Sequence, residues 1–239
     1  MILTVEVTHD CWLDCIHCST RPMICVEHLS LYKDVMGEIR VGEVVLSGGE
    51  PLLYSGLRAY VIESVEKRIP ISLMTSGYYL SLPTGVDFDD FRTIWVSVYG
   101  NRALHESVTQ VQGSFVRTLE TICKLVEEGH DVRIQTPLIY PSCATSYKVA
   151  EMFNIPVRFK QVLYHGRAGM RKDLSRHPVE DQLAWAESAR DRYDKVQISS
   201  SLNGNCRKSD KITISGGRLL GCVAEKTGSC HCPWGKRGD

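Results

Sequence analysis

The chain has no excess of charge of either sign: 28 Lys and Arg stand against 28 Asp and Glu in 239 residues. A neutral balance offers no whole-chain attraction to nucleic acid or to an anionic membrane, so neither is indicated as a partner. Long apolar runs are missing too. None approaches the ~20 residues that span a bilayer. The N-terminus has no basic region leading into an apolar stretch, so no secretory signal is visible and a cytoplasmic location is expected. Ten cysteines would imply disulfides in a small secreted domain, but in a longer chain without an export signal they point to metal. Zinc commonly takes a pair of Cys-x2-Cys knuckles, and no second knuckle follows near Cys15 and Cys18.

What is present is an array. Cys11, Cys15 and Cys18 follow the apolar run Ile2 to Val7 in a Cys-x3-Cys-x2-Cys spacing. Four-iron clusters are normally held by four thiolates. A tight loop supplying three leaves one iron without a protein ligand, and an open metal position is where a substrate or cofactor binds. A second element lies about thirty residues on, where the strand-like run Glu43 to Leu46 leads into Ser47-Gly48-Gly49-Glu50-Pro51. Two glycines let the backbone turn sharply and approach a neighbour closely; Pro51 stiffens the exit.

Together these motifs resemble the radical S-adenosylmethionine (radical SAM) superfamily. The resemblance implies a [4Fe-4S] cluster on Cys11, Cys15 and Cys18, with the methionyl group of SAM on the open iron. It also implies that one electron, from an external donor such as flavodoxin or ferredoxin, cleaves SAM to a 5'-deoxyadenosyl radical. By the same likeness His17 stands near the adenine, and Gly48, Gly49, Glu50 and Pro51 form the loop that engages the methionyl amine.

Short β-rich runs alternate with amphipathic stretches, which argues for a parallel α/β sheet. Strands are expected at Ile2 to Val7, Glu43 to Leu46, Ile71 to Thr75, Thr93 to Val98, Val132 to Thr136 and Val157 to Leu163. Six β/α units up to residue 192 are too few for an eight-fold barrel and match the open (β/α)6 partial TIM-like barrel that the resemblance implies. Sites in such folds gather at the C-terminal strand ends. The candidates there are Ser76, where relatives carry Asn; Ser97, for the SAM ribose or carboxylate; Gln135; and Leu163, against the adenine. Arg167 is a candidate carboxylate clamp, and Cys123 is expected to fill the core.

Residues 193–239 are expected to form a small appendage. Lys211 to Ser215 and Arg218 to Leu220 flank Gly216-Gly217 as a β-hairpin, set among Cys206, Cys222, Cys230 and Cys232. The run resembles the SPASM and twitch extensions of the same superfamily, which implies a second [4Fe-4S] cluster on these four cysteines. Structural zinc suits four cysteines beside a hairpin as well, and His231 offers an alternative ligand. The expected activity is that of a radical SAM oxidoreductase or maturase, with a peptide or a small metabolite as substrate. A non-catalytic iron–sulfur or zinc scaffold is the alternative of another class, and it has no need of the Gly48-Gly49 loop.

Overall fold

The computed structural model describes residues 1–19, 28–164, 166–172, 174–202, 211–215 and 218–220. Cys25, Cys206, Cys222, Cys230 and Cys232 lie outside these residues, and so does everything expected of them. Six strands follow in order: β1 (Ile2–Thr8), β2 (Glu43–Gly48), β3 (Ile71–Thr75), β4 (Thr93–Ser97), β5 (Val132–Pro137) and β6 (Val157–Lys160). Each pairs in parallel with the next. The helices are α1 (Leu29–Glu38), α2 (Leu57–Glu66), α3 (Arg102–Thr109), α4 (Ser114–Glu127), α5 (Tyr147–Met152), α6 (Gly166–Met170) and α7 (Val179–Arg190). The result is the open, curled half-barrel expected from the alternation.

The sheet is wider than six strands. β7 (Val196–Ile198) adds in parallel beside β6. β8 (Lys211–Ser215) adds in parallel beside β1, and β9 (Arg218–Leu220) pairs with β8 in antiparallel fashion. The hairpin strands therefore extend the barrel sheet itself. Two details differ from the sequence expectation. β6 stops at Lys160, not Leu163, because the Val162 amide turns away to donate to Gln182 Oε1 of α7 at 3.1 Å. α3 also forms in a span given no element, started by Asn101, whose side chain accepts from the Leu104 amide at 3.0 Å.

Strand alternation sorts the residues onto two faces. Leu3, Val5, Leu46, Leu73, Ile94, Val96, Ile134 and Phe159 belong to the apolar core and are almost wholly buried. Each such side chain contributes roughly 1.5–3 kcal/mol by leaving water. The intervening residues face the barrel interior and are mostly polar: Glu43 and Ser47, Ser72 and Met74, Trp95 and Ser97, Arg133 and Gln135, Arg158 and Lys160. Cys143 is fully buried in the core, whereas Cys123 is half-buried on α4 and donates to Glu127 Oε1 at 3.2 Å. The α4 face that carries Cys123 also carries Glu127, one turn on, so the thiol points outward and not into the core.

Candidate functional site

The loop after β1 is held by its backbone. The amides of Asp14 and Ile16 donate to the carbonyls of Thr109 and Val108 at 3.0 and 2.9 Å, so the C-terminal end of α3 carries one side of the loop. On the other side the Arg167 amide donates to the Cys18 carbonyl at 2.9 Å. Arg167 Nη1 donates to the Asp14 carbonyl at 2.8 Å and pairs with the Asp14 carboxylate. Arg167 is thus a clamp for a carboxylate of this chain.

The loop after β2 locks onto the same segment. Gly49 N donates to Thr8 O and Glu50 N to Asp10 O, both at 2.7 Å. A Cβ on Gly48 would collide with the Thr8 carbonyl, and one on Gly49 with that of Asp10; Gly48 also has φ of +131°. The two glycines permit a close approach, and what they approach is the backbone that launches the cysteine loop.

Between these loops and the other strand ends lies a cavity of about 220 Å³. Cys11, Cys15, Cys18, His17, Gly48, Gly49, Ser76, Ser97, Gln135 and Leu163 all line it. Leu163 does so from the loop beyond β6. Alternation along the strands also brings in Ser47, Met74, Tyr99, Pro137 and Lys160. Of these, only Ser47 belongs to a sequence motif, the run Ser47-Gly48-Gly49-Glu50-Pro51. The others are found by counting two residues along each strand from a known inward position.

Glu50 and Pro51 do not line the cavity. Glu50 is fully buried, and its carboxylate accepts from Thr75 Oγ1 at 2.8 Å, Ser76 N at 2.9 Å, Ser76 Oγ at 2.6 Å and Leu52 N at 3.4 Å. Burial pushes its pKa up while these four donors pull it back. The carboxylate ties the end of β2 to the end of β3 and presents Ser76 to the cavity.

The lining of the cavity has the thiols that a metal centre requires. Burial, and then the proximity of Cys11 and Cys18, push the Cys15 thiol far above its ordinary pKa. Cys11, Cys15 and Cys18 line the one cavity, and a metal bound there would deprotonate the thiols that coordinate it. Among the described residues no group of three His, Cys, Asp or Glu converges tightly enough to hold a single metal ion. Two buried polar atoms of the wall, His17 Nδ1 and Gln135 Oε1, have no hydrogen-bond partner among the described residues. Burial lowers the His17 pKa to about 4, so its ring is neutral near pH 7 and available for stacking or acceptance. Such orphaned groups suit a polar ligand such as SAM.

No protein-family model matches the sequence, and no curated protein matches it. Solved structures match the fold, an open α/β half-barrel. Streptococcus suis SuiB bound to the precursor peptide SuiA superposes with a TM-score of 0.76 at 15% identity, covering 95% of this chain and 60% of SuiB. This chain thus spans three fifths of the length of that protein. The SAM-bound form of SuiB matches with a TM-score of 0.72, also at 15% identity, over 93% of this chain and 60% of that one. Methylornithine synthase (PylB) matches with a TM-score of 0.63 at 15% identity, over all of this chain and 77% of the other. No helix among the described residues is long and apolar enough to cross a membrane.

Proposed function

We propose that the chain is a radical SAM enzyme that oxidatively modifies a peptide. The observation that carries this reading is the convergence of Cys11, Cys15 and Cys18 with Gly48, Gly49, Ser76, Ser97 and Gln135 on one cavity at the C-terminal strand ends. Cys11, Cys15 and Cys18 would hold a [4Fe-4S] cluster. When bound, the cluster supplies the electron that splits SAM into methionine and a 5'-deoxyadenosyl radical, which takes a hydrogen atom from the substrate. The residues of the chain bind and orient. Glu50 fixes Ser76 at the edge of the cavity. Ser76 and Ser97 present hydroxyls to the amino, carboxylate or ribose groups, and Gln135 Oε1 offers an acceptor. The neutral His17 ring and Leu163 provide apolar surface for the adenine.

The similarity to SuiB with its precursor peptide supports a peptide substrate. PylB, a synthase of an amino acid, matches over the whole of this chain and supports a second reading, in which the substrate is a small metabolite. Cys206, Cys222, Cys230 and Cys232 are proposed to hold an auxiliary [4Fe-4S] cluster that accepts the electron left on the substrate, giving a net oxidation. An external donor such as flavodoxin or ferredoxin is proposed to supply the first cluster.

Anaerobic reconstitution with iron and sulfide, followed by dithionite and SAM, tests the reading. The wild-type protein should yield 5'-deoxyadenosine and methionine even without substrate. A Cys11→Ala/Cys15→Ala/Cys18→Ala variant should lose that activity to background while keeping the iron of the second site. Methylthioadenosine alone, with no 5'-deoxyadenosine, would mean a different use of SAM.

A further inference from the structure

The chain that leaves β3 passes from the cavity to the outer surface. Ser76 lines the cavity, and residues 78–80 then run along α4. Two threonines of α4 pin the turn between them: Thr118 Oγ1 donates to the Ser76 carbonyl at 3.1 Å, and Thr121 Oγ1 to the Gly77 carbonyl at 2.8 Å. Beyond the turn Tyr78, Tyr79 and Leu80 form one wall of an open groove of about 430 Å³, and Arg117, Glu120 and Lys124 form the other. The Arg117 guanidinium stands 4.9 Å from the centre of the Tyr78 ring, and among the described residues no carboxylate pairs with it. Tyr79, 46% exposed, meets the ring of Trp12 at 5.8 Å, and Trp12 is itself 52% exposed. Trp12 directly follows Cys11. Single exposed aromatics are ordinary on a surface. Two in contact, beside a half-buried Tyr and Leu and a cation, make a contiguous patch of the kind that marks a docking surface.

Resting on the cluster reading above, we propose that this face, from Trp12 and Tyr79 to Arg117 and Lys124, docks the external electron donor, a small redox protein with an acidic surface around its own cofactor. Position favours that occupant. Electron transfer between proteins falls off steeply with distance, and here the cysteine loop itself reaches the surface: Trp12 is bonded to Cys11, which lines the cavity. Charge favours it too. Two cations stand against one carboxylate in the groove, which attracts an acidic partner and speeds the encounter. Exposed aromatics beside an Arg are enriched where proteins meet, and a patch this small suits the brief contacts of electron-transfer partners. A substrate must enter the cavity, but the groove shares no lining residue with it. In the step served by this face the donor loses one electron and the centre on Cys11, Cys15 and Cys18 gains it, with no bond broken and no proton moved.

Flavodoxin and a [2Fe-2S] ferredoxin are the probes, with dithionite as the small-molecule control. Binding is read without turnover, by biolayer interferometry of each probe against the reconstituted protein. The wild type should bind at least one of them, and more weakly as salt rises. Arg117→Glu/Lys124→Glu and, separately, Tyr79→Ser should each weaken that binding about tenfold. At limiting donor, 5'-deoxyadenosine formation driven by the protein donor should slow by a similar factor. Dithionite needs no docking, so the rate it drives should match the wild type in both variants. Binding of the probes unmoved by both variants overturns the proposal, and a raised KM for a peptide substrate in those variants would then assign the face to the substrate. Equal losses with dithionite and with the protein donor overturn it as well, since the damage would then lie in the site itself. Wild-type protein that forms no 5'-deoxyadenosine with dithionite overturns the radical SAM reading beneath it.

Discussion

The barrel interior has two ends built from the same strands by the same alternation, and they are finished in opposite ways. At the N-terminal ends the space is filled. Glu43 accepts from Ser72 Oγ at 2.6 Å and pairs with Arg92 at 2.9 Å. The Trp95 ring carries the guanidinium of Arg158 at 3.7 Å and that of Arg133 at 5.6 Å, and Arg133 is held in turn by Asp131. At the C-terminal ends, two to four residues further along each strand, the inward side chains are small or flexible and surround the cavity. Polar groups held by ion pairs, a hydrogen bond and ring stacking make a plug, although Arg158 Nε has no hydrogen-bond partner among the described residues; polar groups left open toward a hollow make a binding site. The difference lies in side-chain size and pairing, not in polarity.

The largest test of that contrast is Trp95→Ala at the filled end. Trp95 is 6% exposed, and its removal strips the platform from two guanidiniums. Truncating a buried Trp costs about 3–5 kcal/mol. Chemical denaturation should show a loss of that size, while 5'-deoxyadenosine formed per loaded cluster stays within about twofold in protein that remains folded. A large drop in SAM cleavage with unaltered stability would reverse the roles assigned to the two ends.

A medium-sized effect separates the ends by pH. His105 backs Tyr99 beneath the hollow end, and burial lowers its pKa from 6.5 to about 4. The unfolded chain therefore binds a proton between those values that the folded chain refuses. Stability is complete above pH 6.5 and falls as pH drops toward 4. From pH 7 to pH 5 the loss is about 2 kcal/mol from this group. Denaturation at the two pH values should show it, and His105→Leu should remove that part of the pH dependence. An unchanged pH dependence in the variant would place the acid lability elsewhere.

Much of this was legible in the sequence, because the apolar half of each strand pattern marks the helix-facing side and the Gly48-Gly49 turn marks a strand end. The half-barrel follows from the count of six β/α units together with the resemblance, and the placement of Cys11, Cys15, Cys18, Ser76, Ser97 and Gln135 at one end from the rule that sites gather at the C-terminal strand ends. How the opposite end is filled does not. Trp95 and Ser97 share a face, and which guanidiniums reach the larger ring depends on register between distant segments. The placement of Glu50 escapes for the same reason: its four donors come from Leu52, Thr75 and Ser76, three of them at the end of β3. α3 escapes because its eight residues are short for a helix that stands alone, yet it carries the cysteine loop. The end of β6 at Lys160 is decided by Gln182, twenty residues away in sequence.

The smallest predicted effect is the most discriminating, because it has opposite signs for stability and function. Gln135 is 9% exposed and directs an unpartnered Oε1 at the cavity wall. An unsatisfied buried acceptor is destabilising, and replacing it with an apolar group of similar shape is close to neutral or favourable. Gln135→Leu should therefore leave stability unchanged or raise it by about 1 kcal/mol, measured by chemical denaturation of the apo protein. The same substitution removes a polar contact for SAM, so equilibrium dialysis of the reconstituted variant should show SAM binding weakened about tenfold, the effect of one neutral hydrogen bond. At the filled end a polar residue is held by partners within the chain, and replacing it should cost stability alone. If Gln135→Leu destabilises the apo protein and leaves SAM affinity intact, Gln135 belongs with the plug, and the boundary between filled and hollow ends lies higher along β5 than Gln135.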